Sequence, residues 1–466
     1  MPTTTATERA PHGRQAPEPC QVRGVVGYGG IMSTVSDSSV AERRATEAVL
    51  RRPRPLFRGW RRFSLPSTFA ALGYYNYRLY WFGQLVSFSG NWMQSVAQGW
   101  LVLRLTDSPF LLGLTGFIGS IPVLLFSLWG GVVADRVPKR RLLLVTQTLS
   151  MFLAFVLAFL TFSGHVRFAH VALVAFCLGI VNAFDAPTRQ AFVVEVVERE
   201  DLVNAIALNS TAFNIARICG PALAGIVVAA VGEAWAFTLN GLSFLAVLAG
   251  LLAMRLPRWH QDRPAGNPWE RLREGLRYVR YSSVTLGLLF IVGATSLFGL
   301  GYTTLMPVFA RDILQAGAKG QGLLMSCVGI GALTGALTLA TIGNHGQRGR
   351  LLVIGNLMLP TALIVFANSR LFPLSALAIA FAGAGLITQN VTANTLIQTQ
   401  APDALRGRMM SVWTLVLMGL MPFGSFQAGL IAERFGAPVA VTAGALVCLF
   451  VALLTQTRLP QLRHLP

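Results

Sequence analysis

Few side chains in this 466-residue sequence are placed to do covalent chemistry. The six histidines, His12, His165, His170, His260, His345 and His464, are scattered through loops and the ends of helices or of the chain. Cys20, Cys177, Cys219, Cys327 and Cys448 show no paired spacing, which disfavours structural disulfides and zinc. No phosphate-binding glycine loop followed by Lys-Ser/Thr occurs, so the chain does not hydrolyse ATP by that device. The sequence therefore predicts no enzyme, no cofactor and no metal. What it offers is charge set in apolar surroundings. The stretch GGVVADRVPKRR spaces Gly131, Asp135, Arg136, Lys139 and Arg140 as G-x-x-x-D-R-x-x-K-R, NAFDAPTRQ carries Asp185, and Arg217 sits inside an apolar run. Acids and bases spaced this way can form and break ion pairs. A charge buried in lipid points to function by default, and Arg217 has either an anionic ligand or nearby carbonyls to compensate it.

Uncharged polar residues add a second pattern. Ser87, Asn91, Gln94 and Gln98 are spaced 4, 3 and 4 apart and so share one helix face. Lipid penalises such a stripe, which predicts that it lines a wet cavity. Gln389, Asn390 and Asn394 belong to a wider polar surface, and Asn214 shares a face with Arg217 and Pro221. Trp100, Phe298 and Tyr302 are candidate aromatic walls.

The elements that must carry these residues follow from composition. The chain is 53% hydrophobic and only 12% charged, against roughly 25% charged in soluble domains. Twelve apolar runs approach or exceed the ~20 residues that cross a bilayer as helix: 80–105, 109–134, 142–162, 168–191, 202–231, 233–254, 283–310, 320–342, 351–367, 373–399, 409–435 and 437–455. They lack the alternation of membrane strands, and lipid offers no partner to an unpaired backbone group, so the fold class is an all-α membrane protein. The net charge of +19 is an orientation signal: 12 Lys and Arg lie in residues 1–78 and only 6 in all the odd-numbered connections. The positive-inside rule then places both termini in the cytoplasm and argues against a nucleic-acid partner.

Shifting the chain on itself by 209 residues matches Gly113-Leu114 to Gly322-Leu323 and Arg141-Leu142-Leu143 to Arg350-Leu351-Leu352. A shift of 204 matches Gly220, Gly225 and Gly232 to Gly424, Gly429 and Gly436. Two six-helix bundles related by a repeat are expected, at 79–254 and 283–456. A basic, mostly disordered leader precedes them at 1–78, a linker with an amphipathic helix joins them at 255–282, and a short tail follows at 457–466.

The charged loop between the second and third runs resembles the signature loop of the major facilitator superfamily, with Pro138 where the family usually has glycine. In the second half Asn344 and His345 stand at the positions of Asp135 and Arg136. The resemblance implies a gating latch. Asp135 would approach the start of the eleventh helix, near Arg406 and Arg408, while the loop bases pair with Asp185. GPALAG, with Gly220, Pro221 and Gly225 beside Arg217, resembles the exporter motif of the fifth helix. SPFLLGL, NAIALNS, FNIARICGPALAG and LRGRMMSVW are similar to the bacterial group of enterobactin exporters and macrolide efflux pumps. The first, fourth, seventh and tenth helices would then surround the cavity. The implied protein is a monomeric inner-membrane exporter of amphiphilic small molecules, coupled to protons by family analogy alone. A lipid transporter and a ligand sensor that moves nothing remain as alternatives.

Overall fold

The computed structural model describes residues 67–256, 277, 279–280, 282–342, 348–402 and 405–461. Among these, every regular element is helical. A short 3-10 segment, Ser67–Gly73, leads into α1 (Tyr75–Thr106), α2 (Pro109–Arg136), α3 (Lys139–Phe162), α4 (Phe168–Val196), α5 (Leu202–Val231) and α6 (Glu233–Ala253). The second half holds α7 (Ser283–Ile313), α8 (Gly317–Ile342), α9 (Arg348–Asn368), α10 (Phe372–Gln400), α11 (Arg406–Phe435) and α12 (Ala437–Arg458). Eleven are long and apolar enough to cross a membrane. The exception is α1, whose 32 residues are long enough but whose polar face lowers its hydropathy. It packs along α5 and α6, while Asn91, Gln94 and Gln98 of its polar face turn toward the space between the two halves. Residues 1–66 of the basic leader, most of the linker (257–276, 278 and 281), and the Asn344 and His345 copy of the charged loop lie outside the described residues.

The first bundle begins earlier than expected. Residues 67–81 are part of it, because polar groups that weaken their apolar character are satisfied by the start of α5. Tyr74 Oη donates to Asp201 at 2.7 Å, Tyr77 Oη to the Ala205 carbonyl at 2.7 Å, and Trp81 Nε1 to the Leu208 carbonyl at 2.8 Å. Helix starts are capped locally: Ser108 Oγ accepts from Leu111 N, with Pro109 at the first helical position, and Ser282 Oγ accepts from Thr285 N. Gly232 (φ +91°) and Gly436 (φ +86°), paired by the repeat, make the turns into α6 and α12 in a region that other residues avoid. Two helices depart from regularity. In α7, π turns occupy Thr295–Gly299 and Phe309–Ile313, while α11 breaks at Leu420, just before Pro422.

Within the first half, α1 packs on α5 and α6, α2 on α4, and α3 on α4 and α6. Within the second, α10 packs on α8 and α9, and α12 on α9 and α11. The halves meet along two helix pairs, α5 with α8 and α2 with α11. Both pairs cross at glycine. A Cβ on Gly322 would lie 2.3 Å from the Pro221 carbonyl oxygen and 3.0 Å from Gly225 Cα, and a Cβ on Gly113 would lie 2.8 Å from Gly429 Cα. The contacts then loosen in one direction. On α2 they run through Phe117 against Phe423 and Phe426 to Leu124 beside Gly419, and a Cβ on Gly131 would meet nothing within 4 Å. On α5 they run through Ile218, whose carbonyl accepts from Ser326 Oγ at 2.6 Å, to Arg217 against Gly329. Beyond that point Ser210 and Thr211 are exposed and, among the described residues, bond to their own helix. The bundle is therefore shut at the end of Gly113 and Gly429 and parted at the end carrying the Asp135 loop.

This closure tolerates no side chain at the crossings, and overpacking of this kind costs about 1–3 kcal/mol. Gly429→Ala is expected to lower the melting midpoint of the detergent-solubilised protein by a few degrees. Gly407→Ala, where a Cβ meets nothing within 4 Å, should leave the midpoint in place.

Candidate functional site

A central cavity of about 680 Å³ lies between the halves. Its most continuous polar wall comes from α1, where Asn91, Gln94 and Gln98 line it together with Ser95. Gln94 is oriented by Asn240 of α6, whose Nδ2 donates to Gln94 Oε1 at 2.6 Å. Ser87, the fourth member of the stripe, is fully buried outside the lining with its hydroxyl unpartnered. Phe88, Trp92 and Phe213 add an aromatic wall, the Phe213 ring meeting the others edge-on at 5.7 and 6.0 Å, and Tyr302 of α7 also lines the cavity.

Several expected cavity residues lie elsewhere. Gln389 is buried against α7 and donates to Thr295 Oγ1 at 2.7 Å. Asn394 accepts from Gln398 Nε2 at 2.6 Å and lies beside Met410 Sδ at 3.7 Å. The Asn390 Oδ1 is buried and unpartnered. None of the three lines the cavity, to which α10 contributes Leu386. Asn214 turns back to the Ser210 carbonyl of its own helix at 2.9 Å. Trp100 and Phe298 pack against apolar clusters. A polar surface wider than one stripe has several neighbours to satisfy it, and spacing alone does not say which one it faces. Gln321 of α8 is a liner that the pattern missed, since it is a single polar residue in an apolar run.

Among the described residues, three charged ones line the cavity: Asp185, Arg189 and Arg217. Asp185, 3% exposed, accepts from Thr146 Oγ1 at 2.7 Å and Gln147 Nε2 at 2.8 Å and pairs with Arg189 Nε at 2.7 Å. Arg189 also lies 4.9 Å over the Phe88 ring. Arg217 donates from Nη2 to the Val328 carbonyl at 3.5 Å, the far limit of a hydrogen bond.

The charged loop differs from expectation in its partners. Lys139 pairs with Glu195 at 2.5 Å and Arg140 Nη2 donates to the Leu252 carbonyl at 3.0 Å, so neither reaches Asp185. The reason is depth: Asp185 precedes Glu195 by ten residues, about 15 Å along α4 at 1.5 Å per residue, and only Glu195 is level with the first turn of α3. Asp135 and Arg136 are exposed, and Asp135 has no partner among the described residues. Arg406 Nε donates to the Gln398 carbonyl at 3.1 Å, Arg408 is half-buried, and neither bonds to the Asp135 loop among the described residues. Pro138 fits without strain, because Val137 (φ −119°) is extended, Pro138 (φ −57°) also has a negative φ, and the turn needs no glycine.

At the shut end Gly220 packs on α1, where its Cβ would lie 2.7 Å from the Ser89 carbonyl oxygen, while Gly225 and Pro221 meet α8. An acid across the halves completes the closure. Glu433 of α11 accepts from Ser108 Oγ at 2.8 Å and from Phe110 N at 3.0 Å, capping the start of α2. Arg311 Nη1 pairs with Asp107 at 2.6 Å beside it.

Breaking a buried ion pair costs about 3–5 kcal/mol, against less than about 1 kcal/mol at the surface. Asp185 is 3% exposed whereas the Lys139–Glu195 pair is only part-buried, so Asp185→Asn is expected to lower the thermal midpoint more than Glu195→Gln, a comparison that one melting series makes.

The transmembrane secretion effector family profile matches residues 66–465. The chain is 26% identical to the staphyloferrin A transporter of Staphylococcus aureus over 75% of its own length and 87% of that protein. It is 27% identical to the multidrug efflux pump Tap of Mycolicibacterium fortuitum over 82% and 95%, and 23% identical to the enterobactin exporter EntS of Escherichia coli K12 over 78% and 86%. Its fold is similar to the inward-facing, unoccupied crystal structure of a bacterial homologue of the human lysosomal transporter Spinster. That match has a TM-score of 0.67 and 14% identity, and covers 86% of this chain and 99% of that one.

Proposed function

The chain belongs to the transmembrane secretion effector family of major facilitator transporters, and from that premise we propose that it exports amphiphilic small molecules, drug-like or siderophore-like, by proton-coupled alternating access. The observation that carries this reading is the cavity: polar and aromatic, shut at one end by glycine crossings and parted at the other beneath the charged loop. The positive-inside bias makes the parted end cytoplasmic, so this is the conformation that loads substrate from inside the cell. Relatives named as an enterobactin exporter and a multidrug efflux pump support the direction of transport.

Release outward requires the opposite arrangement. The α5–α8 and α2–α11 crossings separate, the Glu433 cap on α2 breaks, and the loop end closes as Asp135 caps the start of α11. An exposed Asp135 without a partner among the described residues fits the parted stage of that cycle. Asp185 is the one carboxylate among the described lining residues, which makes it the candidate proton carrier. A proton there displaces one of three donors, and the partner it most directly releases is Arg189.

Inverted membrane vesicles containing the protein are expected to accumulate a fluorescent amphiphile, and a protonophore to abolish the accumulation. Uptake that survives the protonophore removes proton coupling, and absence of uptake removes export. Asp135→Asn should cut the initial rate by about tenfold or more with insertion unchanged, since a neutral amide gains less than a carboxylate at a helix start.

A further inference from the structure

We infer that the cavity is built for an anionic substrate: Arg217 and Tyr302 together receive a carboxylate of the exported amphiphile, whose apolar body lies along Phe88, Trp92 and Phe213. This deepens the transport reading and rests on it. The first argument is charge. Of the three charged residues among the described lining, Asp185 and Arg189 neutralise each other at 2.7 Å, which leaves Arg217 as a cation without an acidic partner among the described residues. Its only hydrogen bond among the described residues is the 3.5 Å contact to the Val328 carbonyl, so most of a five-donor fork is unspent in a low-dielectric setting. Such a charge requires compensation, and a ligand anion supplies it.

A second, independent observation comes from α7. Tyr302 lines the same cavity, is 1% exposed, and its hydroxyl has no hydrogen-bond partner. Orphaned donors of this kind are costly in the absence of a ligand. Tyr302 and Arg217, one from each half, both line this cavity. A carboxylate there accepts two parallel N–H bonds from the guanidinium fork and one O–H bond from the phenol. Gln321, 3% exposed and also lining the cavity, has an unpartnered Oε1 that accepts a hydroxyl or N–H from the same ligand. A neutral ligand leaves the guanidinium uncompensated, and a cationic one is repelled by it.

The test is equilibrium binding to the full-length protein in nanodiscs with three probes sharing one apolar body: pyrenebutyrate, pyrenebutanol and a pyrenebutyl trimethylammonium. Pyrenebutyrate is expected to bind about tenfold or more tighter than the alcohol, the size of a charge-assisted hydrogen-bonded contact, and the cation weakest. Arg217→Gln should erase the preference by weakening pyrenebutyrate alone. Tyr302→Phe, which keeps the ring, should weaken pyrenebutyrate several-fold and leave pyrenebutanol unchanged, so the inference stays testable if the Arg217 variant is poorly folded. Equal affinities for the three probes in the native protein, or a carboxylate preference that survives both substitutions, overturn it. Binding is read without transport, so the two readings fail separately. A carboxylate preference without vesicle uptake removes only export, and uptake without that preference removes only the anion site.

Discussion

Backbone contact at glycine holds the two halves of this protein together. Lipid tails are as apolar as leucine, so no hydrophobic force draws membrane helices to one another, and association depends on close packing. Here the closest approach occurs where Gly225 meets Gly322 and where Gly113 meets Gly429. The internal repeat relates these two crossings, since Gly113 corresponds to Gly322 and Gly225 to Gly429. Gly220 and Gly424 are related in the same way, one packing on the α1 backbone and the other on the α7 backbone. One contact, made twice, sets the distance between the bundles.

Because both crossings lie toward the same end, the halves diverge toward the other, and the divergence creates the cavity. Arg217 is next to the α8 backbone just below the α5–α8 crossing, where protein replaces lipid around it and the cavity begins. Asp185 and Arg189 lie nearer the parted end and satisfy each other. Electrostatics at the two ends follow one rule. At the shut end a carboxylate of α11, Glu433, caps the start of α2 across the halves. At the parted end a carboxylate of α2, Asp135, is exposed, and in the proposed cycle it would do the same for the start of α11.

Composition and run length determined the all-helical membrane architecture, and glycine spacing determined the repeat. Both are local properties: a bilayer demands long apolar helices whatever they touch, and the repeat glycines are needed wherever backbones approach or φ turns positive, as at Gly232 and Gly436. The α1 stripe was equally legible, because a narrow polar face on a membrane helix has one destination, and Asn91, Gln94 and Gln98 reach it.

What only the tertiary structure decided is which neighbour each polar group meets. Asn214, Gln389, Asn390 and Asn394 have residue types suited to a cavity, yet each points to its own helix or into a bundle. The charged loop had the right residues and the wrong assumed partner, because Lys139 meets whichever acid lies at its own depth, and that acid is Glu195. Tyr302 and Arg217 are 85 positions apart and belong to different bundles. Their shared place in the cavity follows from the way the α5–α8 crossing sets one bundle against the other, and sequence spacing carries no trace of that angle.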